Sequence, residues 1–299
     1  MKDIANFALK KKNILIRVDL NVPVVDGIVT EKSRIKSIKV TIKKLREQKN
    51  KIFLLSHFGR PNGNKNKKYS LKFICSILRE ELELKKIFFL DNLENIQIQN
   101  TISKMNFGDI CLFENVRFYV QEENNDINFA KNLATNFDIF VNDAFSASHR
   151  NHSSIVGLPK FLPSFAGFSM VKEVKNINFF IEKPKKPNLA IIGGSKISTK
   201  INLLFNLVKS FNFIAIGGAM ANTFLYAKGI NIGNSLCEKN LSETALLILL
   251  HAKKFNCEII LPIDVVCANN LNDKLHINKC DVKNIPSNQM VLDLGSKTI

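Results

Sequence analysis

The most constraining feature of this sequence is an alternation of short apolar runs with longer amphipathic patterns along its 299 residues. The run ILIRVDLNVP, which begins at Ile14, is followed by SRIKSIKVTIKKLRE, in which Ile35, Ile38, Ile42 and Leu45 share one helical face. Alternation of this kind predicts βα units and a mostly parallel sheet. The chain is therefore predicted to be an α/β protein.

The same alternation continues through the first half of the chain. KIFLLS predicts a strand, and SLKFICSILREEL predicts a helix whose apolar face carries Leu71, Ile74, Leu78 and Leu82. Three further strands are predicted, at Ile87–Leu90, Ile110–Phe113 and Asp138–Asn142. We assign residues 1–170 to a first, N-terminal domain.

The segment GFSMVKEVKNINFFIEKPKKPN marks a boundary between two domains. It is typical of a helix followed by a Pro- and Lys-rich connector, because Pro184 and Pro187 end the helical pattern. We assign residues 171–187 to a hinge helix and connector, and residues 188–299 to a second, C-terminal domain.

The alternation restarts in this second domain with NLAIIGGSKISTKINLLFNLV and FNFIAIGGAMANTFLYAKG. A helix is predicted from Leu241 to Phe255, with Asn240 and Glu243 at capping-box spacing. CEIILPIDVV and QMVLDLG predict the last strands. The closing MVLDLGSKTI is typical of a strand, a turn and the start of a helix, so we expect an incomplete second domain in a truncated or fragmentary chain.

The net charge of +17 indicates an anionic partner, such as a phosphorylated metabolite, a nucleic acid or an acidic lipid. Many lysines lie in loop patterns such as NGNKNKKYS, where a compositional bias toward lysine explains them equally well. A nucleic-acid site would need a basic stripe with exposed aromatics, whereas the 23 phenylalanines lie mostly within apolar runs. We therefore expect a small anionic ligand and no nucleic acid.

No segment approaches the run of about 20 apolar residues that a membrane helix needs, and the N-terminus lacks the apolar core of a secretory signal. A cytoplasmic protein without membrane contact is expected. The six cysteines form no CxxC pair and have no histidine partner at metal spacing. They are expected to be buried apolar residues, not metal ligands.

Polar side chains follow four of the predicted strands. They are, in chain order, Arg17, Asp19 and Asn21; His57 and Arg60; Glu114, Asn115 and Arg117; and Asp143, His149 and Arg150. Because ligands bind outside the carboxyl ends of parallel strands, these residues are expected to share one edge of the sheet.

Each of these strand ends also has a structural explanation, for example an ion pair between Arg17 and Asp19, or His57 as a capped turn residue. Four arginines at one edge favour a ligand, because they repel one another unless an anion joins them. The planar fork of arginine suits carboxylate and phosphate oxygens. The first domain is predicted to hold a compact, multiply charged acid.

Glycine pairs follow two strands of the second domain. Gly194 ends the pair after LAII, and Lys196 and Lys200 are predicted to open the next helix. Gly218 ends the pair after FIAI. Each pattern alone is more typical of a common turn with a solvated lysine, and neither is a Walker A or GxGxxG motif. Their repetition at equivalent strand ends predicts a second phosphate-binding face. Two anion sites in two domains indicate a phosphoryl transferase with two substrates.

Eight blocks of the sequence together resemble the phosphoglycerate kinase family. They are RVDLNVP, SHFGRP, LFENVRF, VNDAFSASHRNHSS, GFSMVKE, IIGGSKISTKINLLFNL, IGGAMANTFLYAKG and ILPIDVVCA, in the family's order and spacing. The resemblance extends from residue 14 to the last residue. It implies two Rossmann-like domains with parallel sheets, joined by a hinge helix, and a monomeric glycolytic kinase.

The resemblance also implies a role for individual residues. Asp19 and Asn21 match the contacts to the hydroxyl and carboxyl end of 3-phosphoglycerate or 1,3-bisphosphoglycerate, and His57, Arg60, Arg117 and Arg150 match the basic patch for the 3-phosphate. Arg34 matches the arginine that stabilises the transferring phosphoryl group. Lys196 and Lys200 match the lysines on the phosphates of Mg²⁺-bound ADP or ATP, with Lys200 also facing the group in transit. Gly194 and Gly218 match backbone positions of the nucleotide pocket.

The implied reaction is reversible transfer between 1,3-bisphosphoglycerate and ADP, giving 3-phosphoglycerate and ATP, with Arg34 and Lys200 as the catalytic residues and no metal held by protein ligands. The family's later segments, which carry further nucleotide contacts, are not found in this sequence. The alternative is therefore a truncated, non-catalytic phosphoglycerate-binding remnant.

Overall fold

A computed structural model of the chain describes residues 2–182, 185–273 and 275–299. These residues form two compact units, Met1–Ile177 (unit 1) and Asn178–Ile299 (unit 2). The division falls inside a helix, α7, which spans Phe168–Glu182. The predicted helix break at Pro184 lies outside the described residues. The assignment of residues 171–187 as a hinge stays a prediction.

Unit 1 is built on one six-stranded sheet. Its strands are β1 (Asn13–Arg17), β4 (Lys51–Leu55), β5 (Phe88–Leu90), β6 (Ile110–Phe113), β7 (Ile139–Asn142) and β8 (Ser164–Ala166). The order is β5-β6-β4-β1-β7-β8, and every pair is parallel. A two-stranded hairpin, β2 (Val24–Val25) with β3 (Ile28–Val29), lies outside this sheet. The predicted parallel α/β architecture is confirmed, although β8 and the hairpin were not predicted.

Helices cover both faces of this sheet. They are α1 (Ser33–Ser37), α2 (Lys39–Glu47), α3 (Ile74–Glu81), α4 (Asn95–Lys104), α5 (Val120–Glu123) and α6 (Ile127–Ala134). Alternate residues of each strand enter separate cores: Ile14 and Ile16 pack in one cluster, and Leu15 and Phe53 pack in the other. Period-two alternation thus gives the sheet two buried faces.

Unit 2 contains a three-stranded parallel sheet in the order β11-β10-β9. Its strands are β9 (Leu189–Gly193), β10 (Phe213–Gly217) and β11 (Glu258–Ile260), and its helices are α8 (Ile201–Leu207), α9 (Ala219–Ala227) and α10 (Ser242–Lys254). One face carries Ile214 and Ile216 into a buried cluster with α9 and α10. On the other face Leu189 is 50% exposed and Ile191 77% exposed.

A second sheet of unit 2 is antiparallel and was only partly predicted. It has the order β13-β12-β14, with β12 at Asp264–Ala268, β13 at Asn278–Asp281 and β14 at Met290–Leu294. β13 has the sequence NKCD, which lacks the apolar alternation that identifies a strand.

The predicted cap of α10 is wrong. Lys239–Leu241 forms a separate 3₁₀ turn, and α10 begins at Ser242 with no side chain bonded at its N-cap. In the described residues, no helix is both long and apolar enough to cross a bilayer.

Candidate active site

The parallel register of unit 1 brings the strand ends to one edge of the sheet. Arg17, the last residue of β1, lies beside Leu55 of β4 and Asn142 of β7. His57 comes two residues after Leu55, and Asp143 comes directly after Asn142. The edge predicted from the sequence is therefore present, and charged residues from separate strands meet there.

Arg17 is almost completely buried, with 1% of its surface exposed. Its Nε donates to Ser154 Oγ at 2.9 Å, its Nη1 donates to the Val18 carbonyl at 2.6 Å, and its Nη2 lies 3.1 Å from His57 Nδ1. Arg17 was expected to be one of the arginines that an anion joins. Its burial and the use of three of its five N–H donors inside the protein favour an internal role over direct contact with an anion.

His57 is also buried, with 6% of its surface exposed. Burial, followed by the charges of Arg17 and Arg117, lowers the pKa of His57 from 6.5 to about 2. The imidazole is therefore neutral at physiological pH. A neutral imidazole can still donate one hydrogen bond to an anion.

Three further arginines extend the positive region around His57. Arg117 is buried, and its Nη1 donates to the Gly59 carbonyl at 2.8 Å, while its Nε lies 3.3 Å from Glu123. Burial lowers the pKa of Arg117, and the charges of Arg150 and Arg60 lower it further, which indicates that these guanidinium groups are neighbours. We call His57, Arg60, Arg117 and Arg150 the strand-end cluster.

Arg60 and Arg150 differ from Arg117 in their exposure. Arg60 is exposed and Arg150 is half-buried. Within the described part of the chain, neither side chain has an acidic group within 4.0 Å. The cluster thus combines a buried part fixed by the protein with two cationic groups that can reach a ligand.

Asp19 and Arg34 line a cavity of about 380 Å³ next to the ends of β1 and β7. Arg34 Nη1 lies 2.5 Å from Asp19 Oδ2, which also accepts a hydrogen bond from the hydroxyl of Ser146. Asn21 lies beside them, and its Oδ1 accepts from the Gly59 backbone at 2.9 Å. A polar cavity with both a carboxylate and a guanidinium can orient a hydroxy acid.

Other polar residues at the same edge are structural. Glu114 accepts from the backbone of Leu71 at 2.7 Å and from the hydroxyl of Ser70 at 2.6 Å. The amide of Asn115 donates to the carbonyls of Phe58 and Tyr69 at 2.7 and 2.9 Å. These bonds hold the loop that carries His57 and Arg60. They leave neither side chain free for a ligand.

In unit 2 the two glycine pairs lie side by side, as the sequence predicted. Gly193 of β9 is paired with Gly217 of β10, and Met220 of α9 donates its backbone N–H to the Gly194 carbonyl at 2.8 Å. Gly218 has φ +67°, and a Cβ there would lie 2.8 Å from that carbonyl oxygen. Only glycine fits this close approach without strain.

The lysines of unit 2 are less buried than the arginines Arg17 and Arg117 of unit 1. Lys196 is exposed in the loop after β9, and Lys200 is half-buried at the N-cap of α8. The expectation that both lysines open a helix is wrong for Lys196, because α8 begins only at Ile201. Gly194 is close to Lys200, since a Cβ on Gly194 would lie 3.1 Å from the Lys200 Cε.

Three polar residues at this edge were not predicted from the sequence. Ser146 contacts Asp19 and lies three residues after Asp143. A search of the polar residues that follow each predicted strand could therefore have found it. Ser154 and Glu122 are buried and bonded to each other, and Ser154 also accepts a hydrogen bond from Arg17. No sequence signal marks them, because both stand in polar segments that are otherwise typical of solvent-exposed loops and helices.

Comparisons with known proteins identify the family of this chain. A family model described as "Phosphoglycerate kinase" matches residues 4–299. The chain belongs to the phosphoglycerate kinase family. It is 46% identical over 288 residues to the phosphoglycerate kinase of Rhizobium meliloti, which covers 96% of this chain and 72% of that protein. It is 44% identical to the phosphoglycerate kinase of Borreliella afzelii, covering all of this chain and 75% of that protein.

Solved structures of the family share the fold. The phosphoglycerate kinase of Coxiella burnetii superposes with a TM-score of 0.77 at 35% identity, covering 99% of this chain and 74% of that one. That of Pyrococcus horikoshii superposes with a TM-score of 0.80 at 25% identity, covering 100% of this chain and 76% of that one. The predicted family and fold class are confirmed. Nothing in these comparisons supports the alternative of a non-catalytic remnant.

Proposed function

We propose that this member of the phosphoglycerate kinase family transfers a phosphoryl group reversibly between 1,3-bisphosphoglycerate and ADP, giving 3-phosphoglycerate and ATP. The observation that carries the proposal is the strand-end cluster. It gathers three guanidinium groups and a neutral imidazole at one sheet edge, and Arg60 and Arg150 have no acidic partner among the described residues. Such a cluster favours a compact anion, because guanidinium groups form strong hydrogen bonds with carboxylate and phosphate oxygens.

The acid is proposed to bind with its 3-phosphate on the strand-end cluster. Charged hydrogen bonds contribute about 1.5–3 kcal/mol each, so several of them can hold a small acid. The hydroxyl and carboxyl end is assigned to Asp19 and Asn21. This placement is supported by the polar cavity that Asp19 lines and by the bond that ties Asn21 to Gly59 in the same loop as Arg60.

Arg34 is proposed to stabilise the phosphoryl group in transit. Its side chain is 41% exposed and is held in the cavity by Asp19 at 2.5 Å. Phosphoryl transfer has a loose, highly charged transition state, so a fixed positive charge lowers the barrier without forming a covalent bond. The pairing with Asp19 keeps Arg34 oriented toward the cavity before the phosphoryl group arrives.

The nucleotide is proposed to bind to unit 2 with its phosphates near Gly194, Gly218, Lys196 and Lys200. The N-terminus of α9 directly follows Gly218, and backbone N–H groups at a helix start favour phosphate. A small cavity of about 70 Å³ lies beside Gly218 and is lined by Pro262, Val265 and Leu294, which suits an apolar part of the nucleotide. Lys200 is also proposed to face the phosphoryl group while it is transferred.

Mg²⁺ is proposed to enter with ADP or ATP as part of the substrate. This small cation keeps several waters and binds substrate phosphates in preference to an all-protein site. Residues 171–187 are proposed as the connection between the two domains. The monomeric state and the cytoplasmic location stay predictions.

The test is the kinetics of Arg34→Ala with the full chain. We expect kcat to fall about 100- to 1,000-fold while the KM for 3-phosphoglycerate changes only a few-fold, because the lost charge acts mainly on the transition state. Arg79→Ala, which removes an exposed arginine from α3, is the matched control and should behave as the unaltered chain. A rise in KM with unchanged kcat would show that Arg34 only binds the ground state.

A further inference from the structure

Glu122 is a completely buried carboxylate for which the proposed function has no role. It lies in α5 with 0% of its surface exposed. A buried charge is costly unless it is paired and hydrogen-bonded. Its partners all come from one segment: Ser154 donates its backbone N–H to Oε2 at 2.8 Å and its hydroxyl to Oε1 at 2.5 Å, and His152 Nδ1 lies 3.6 Å from Oε1.

The direction of the bonds at Ser154 is determined by chemistry. A hydroxyl has one proton to donate, and the proton of Ser154 goes to Glu122. Its oxygen therefore accepts from Arg17 Nε at 2.9 Å. Arginine has only donors, so the contact of 3.1 Å between Arg17 Nη2 and His57 Nδ1 requires that Nδ1 accepts.

This sequence of bonds determines the tautomer of His57. The ring is neutral, because burial and the charges of Arg17 and Arg117 lower its pKa to about 2. A neutral imidazole whose Nδ1 accepts must carry its proton on Nε2. Among the described residues, Nε2 has no hydrogen-bond partner. Its N–H is thus available to a ligand.

We propose that Glu122 and Ser154 are positioning residues, which act through Arg17 to hold His57 as the Nε2–H tautomer. The bonded path runs from Glu122 to Ser154, Arg17 and His57, and crosses from α5 to the ends of β1 and β4. Glu122 also supplies the negative charge that balances the buried Arg17. The identity of the ligand rests on the proposed function, but the tautomer does not.

Ser154→Ala breaks this path at a single atom and leaves both charges in place. The matched control is Ser153→Ala, because Ser153 is equally buried and, among the described residues, its hydroxyl lies within hydrogen-bond distance only of the carbonyls of Gln121 and Asp126, at 2.8 and 3.1 Å. Ser154→Thr keeps the hydroxyl and should restore the behaviour of the unaltered chain.

The first measurement is ¹⁵N NMR of the imidazole of His57 in the unliganded chain at neutral pH. We expect a single Nε2–H tautomer in the unaltered chain and in Ser153→Ala, and a mixture of tautomers in Ser154→Ala. A dominant Nδ1–H tautomer in the unaltered chain would overturn the proposal, even if Ser154→Ala did not fold.

The second measurement is calorimetry with 3-phosphoglycerate. We expect Ser154→Ala to lose about 10-fold in affinity, because a misplaced imidazole weakens one hydrogen bond to a charged ligand, and we expect Ser153→Ala to lose less than twofold. Equal affinities of all variants, with the tautomer unchanged, would overturn the proposal. If the unaltered chain holds the Nε2–H tautomer but does not bind 3-phosphoglycerate, the proposed function fails and the positioning path stands.

Discussion

The two units present charge at their sheet edges in different ways. In unit 1, Arg17, His57 and Arg117 are buried at 1%, 6% and 3% exposure and are bonded to the protein. In unit 2, Lys196 is exposed and Lys200 is half-buried, and the edge is shaped by glycine backbone. Under the proposed function, unit 1 would orient its ligand with buried side chains bonded to the protein, whereas unit 2 would use glycine backbone and more exposed lysines.

The difference follows from how each sheet is packed. The unit 1 sheet has apolar clusters on both faces, which exclude water from the strand ends and make charge–dipole contacts strong. The β9–β11 sheet has one buried face, while Leu189 and Ile191 on the other face are exposed. In this chain, bonded and buried charges lie at the end of the enclosed sheet, and more exposed lysines lie at the end of the half-covered sheet.

The largest expected difference between the units is in core stability. Ile52 in β4 is completely buried and Ile191 in β9 is 77% exposed, so the same change to alanine tests the packing of each sheet. Ile52→Ala should lower the free energy of unfolding by about 2–5 kcal/mol, and Ile191→Ala by at most about 1 kcal/mol. Urea unfolding followed by circular dichroism measures both. Equal losses would show that the two sheets are packed alike.

A smaller difference concerns acid stability and depends on His57. In the unfolded chain His57 binds a proton below its ordinary pKa of 6.5, whereas in the folded chain it stays neutral down to about 2. The unfolded state then holds more protons, so stability falls as the pH drops through this window, by about 2 kcal/mol at about pH 5. His57→Asn should flatten this part of the curve of unfolding free energy against pH. An unchanged slope would mean that His57 is not buried as described.

The last expected effect concerns the ends of β9 and β10 in unit 2, where the two glycine pairs lie. Gly218 and Gly229 both have positive φ, +67° and +79°, but only at Gly218 would a Cβ meet a backbone atom, the Gly194 carbonyl at 2.8 Å. Gly229→Ala should cost about 1 kcal/mol for the positive φ. Gly218→Ala should cost about 1–3 kcal/mol, because ψ is −169° there and almost only glycine adopts that conformation, and about 1 kcal/mol more from the clash. Only Gly218→Ala should also weaken ADP binding in calorimetry. Identical behaviour of the two variants would remove Gly218 from the nucleotide face.

Much of the scaffold could be predicted because it depends on local pattern. Ile35, Ile38, Ile42 and Leu45 are all buried, as their helical spacing indicated, although the helix is divided at Ile38 into α1 and α2. Residues at strand ends were also predictable, since the parallel topology alone brings them to one edge.

The internal partners of the site were not predictable, because they join residues that are distant in the sequence. Ser154 bonds Arg17 across 137 residues, and Glu122 bonds Ser154 across 32. The sequence shows an arginine at a strand end, but it does not show whether that arginine faces a ligand or the interior. In the structure, α5 packs against the segment around Ser154, and this contact turns the Arg17 side chain toward the interior.

The most direct test of the account is the affinity of 3-phosphoglycerate for Arg150→Ala, measured by calorimetry beside Lys131→Ala. Lys131 is an exposed cation on α6 of the same unit, so its variant controls for the loss of one positive charge. We expect Arg150→Ala to bind about 10- to 100-fold more weakly and Lys131→Ala to bind as the unaltered chain does. Equal affinities for both variants would contradict the account, because the strand-end cluster would then add nothing beyond the overall charge.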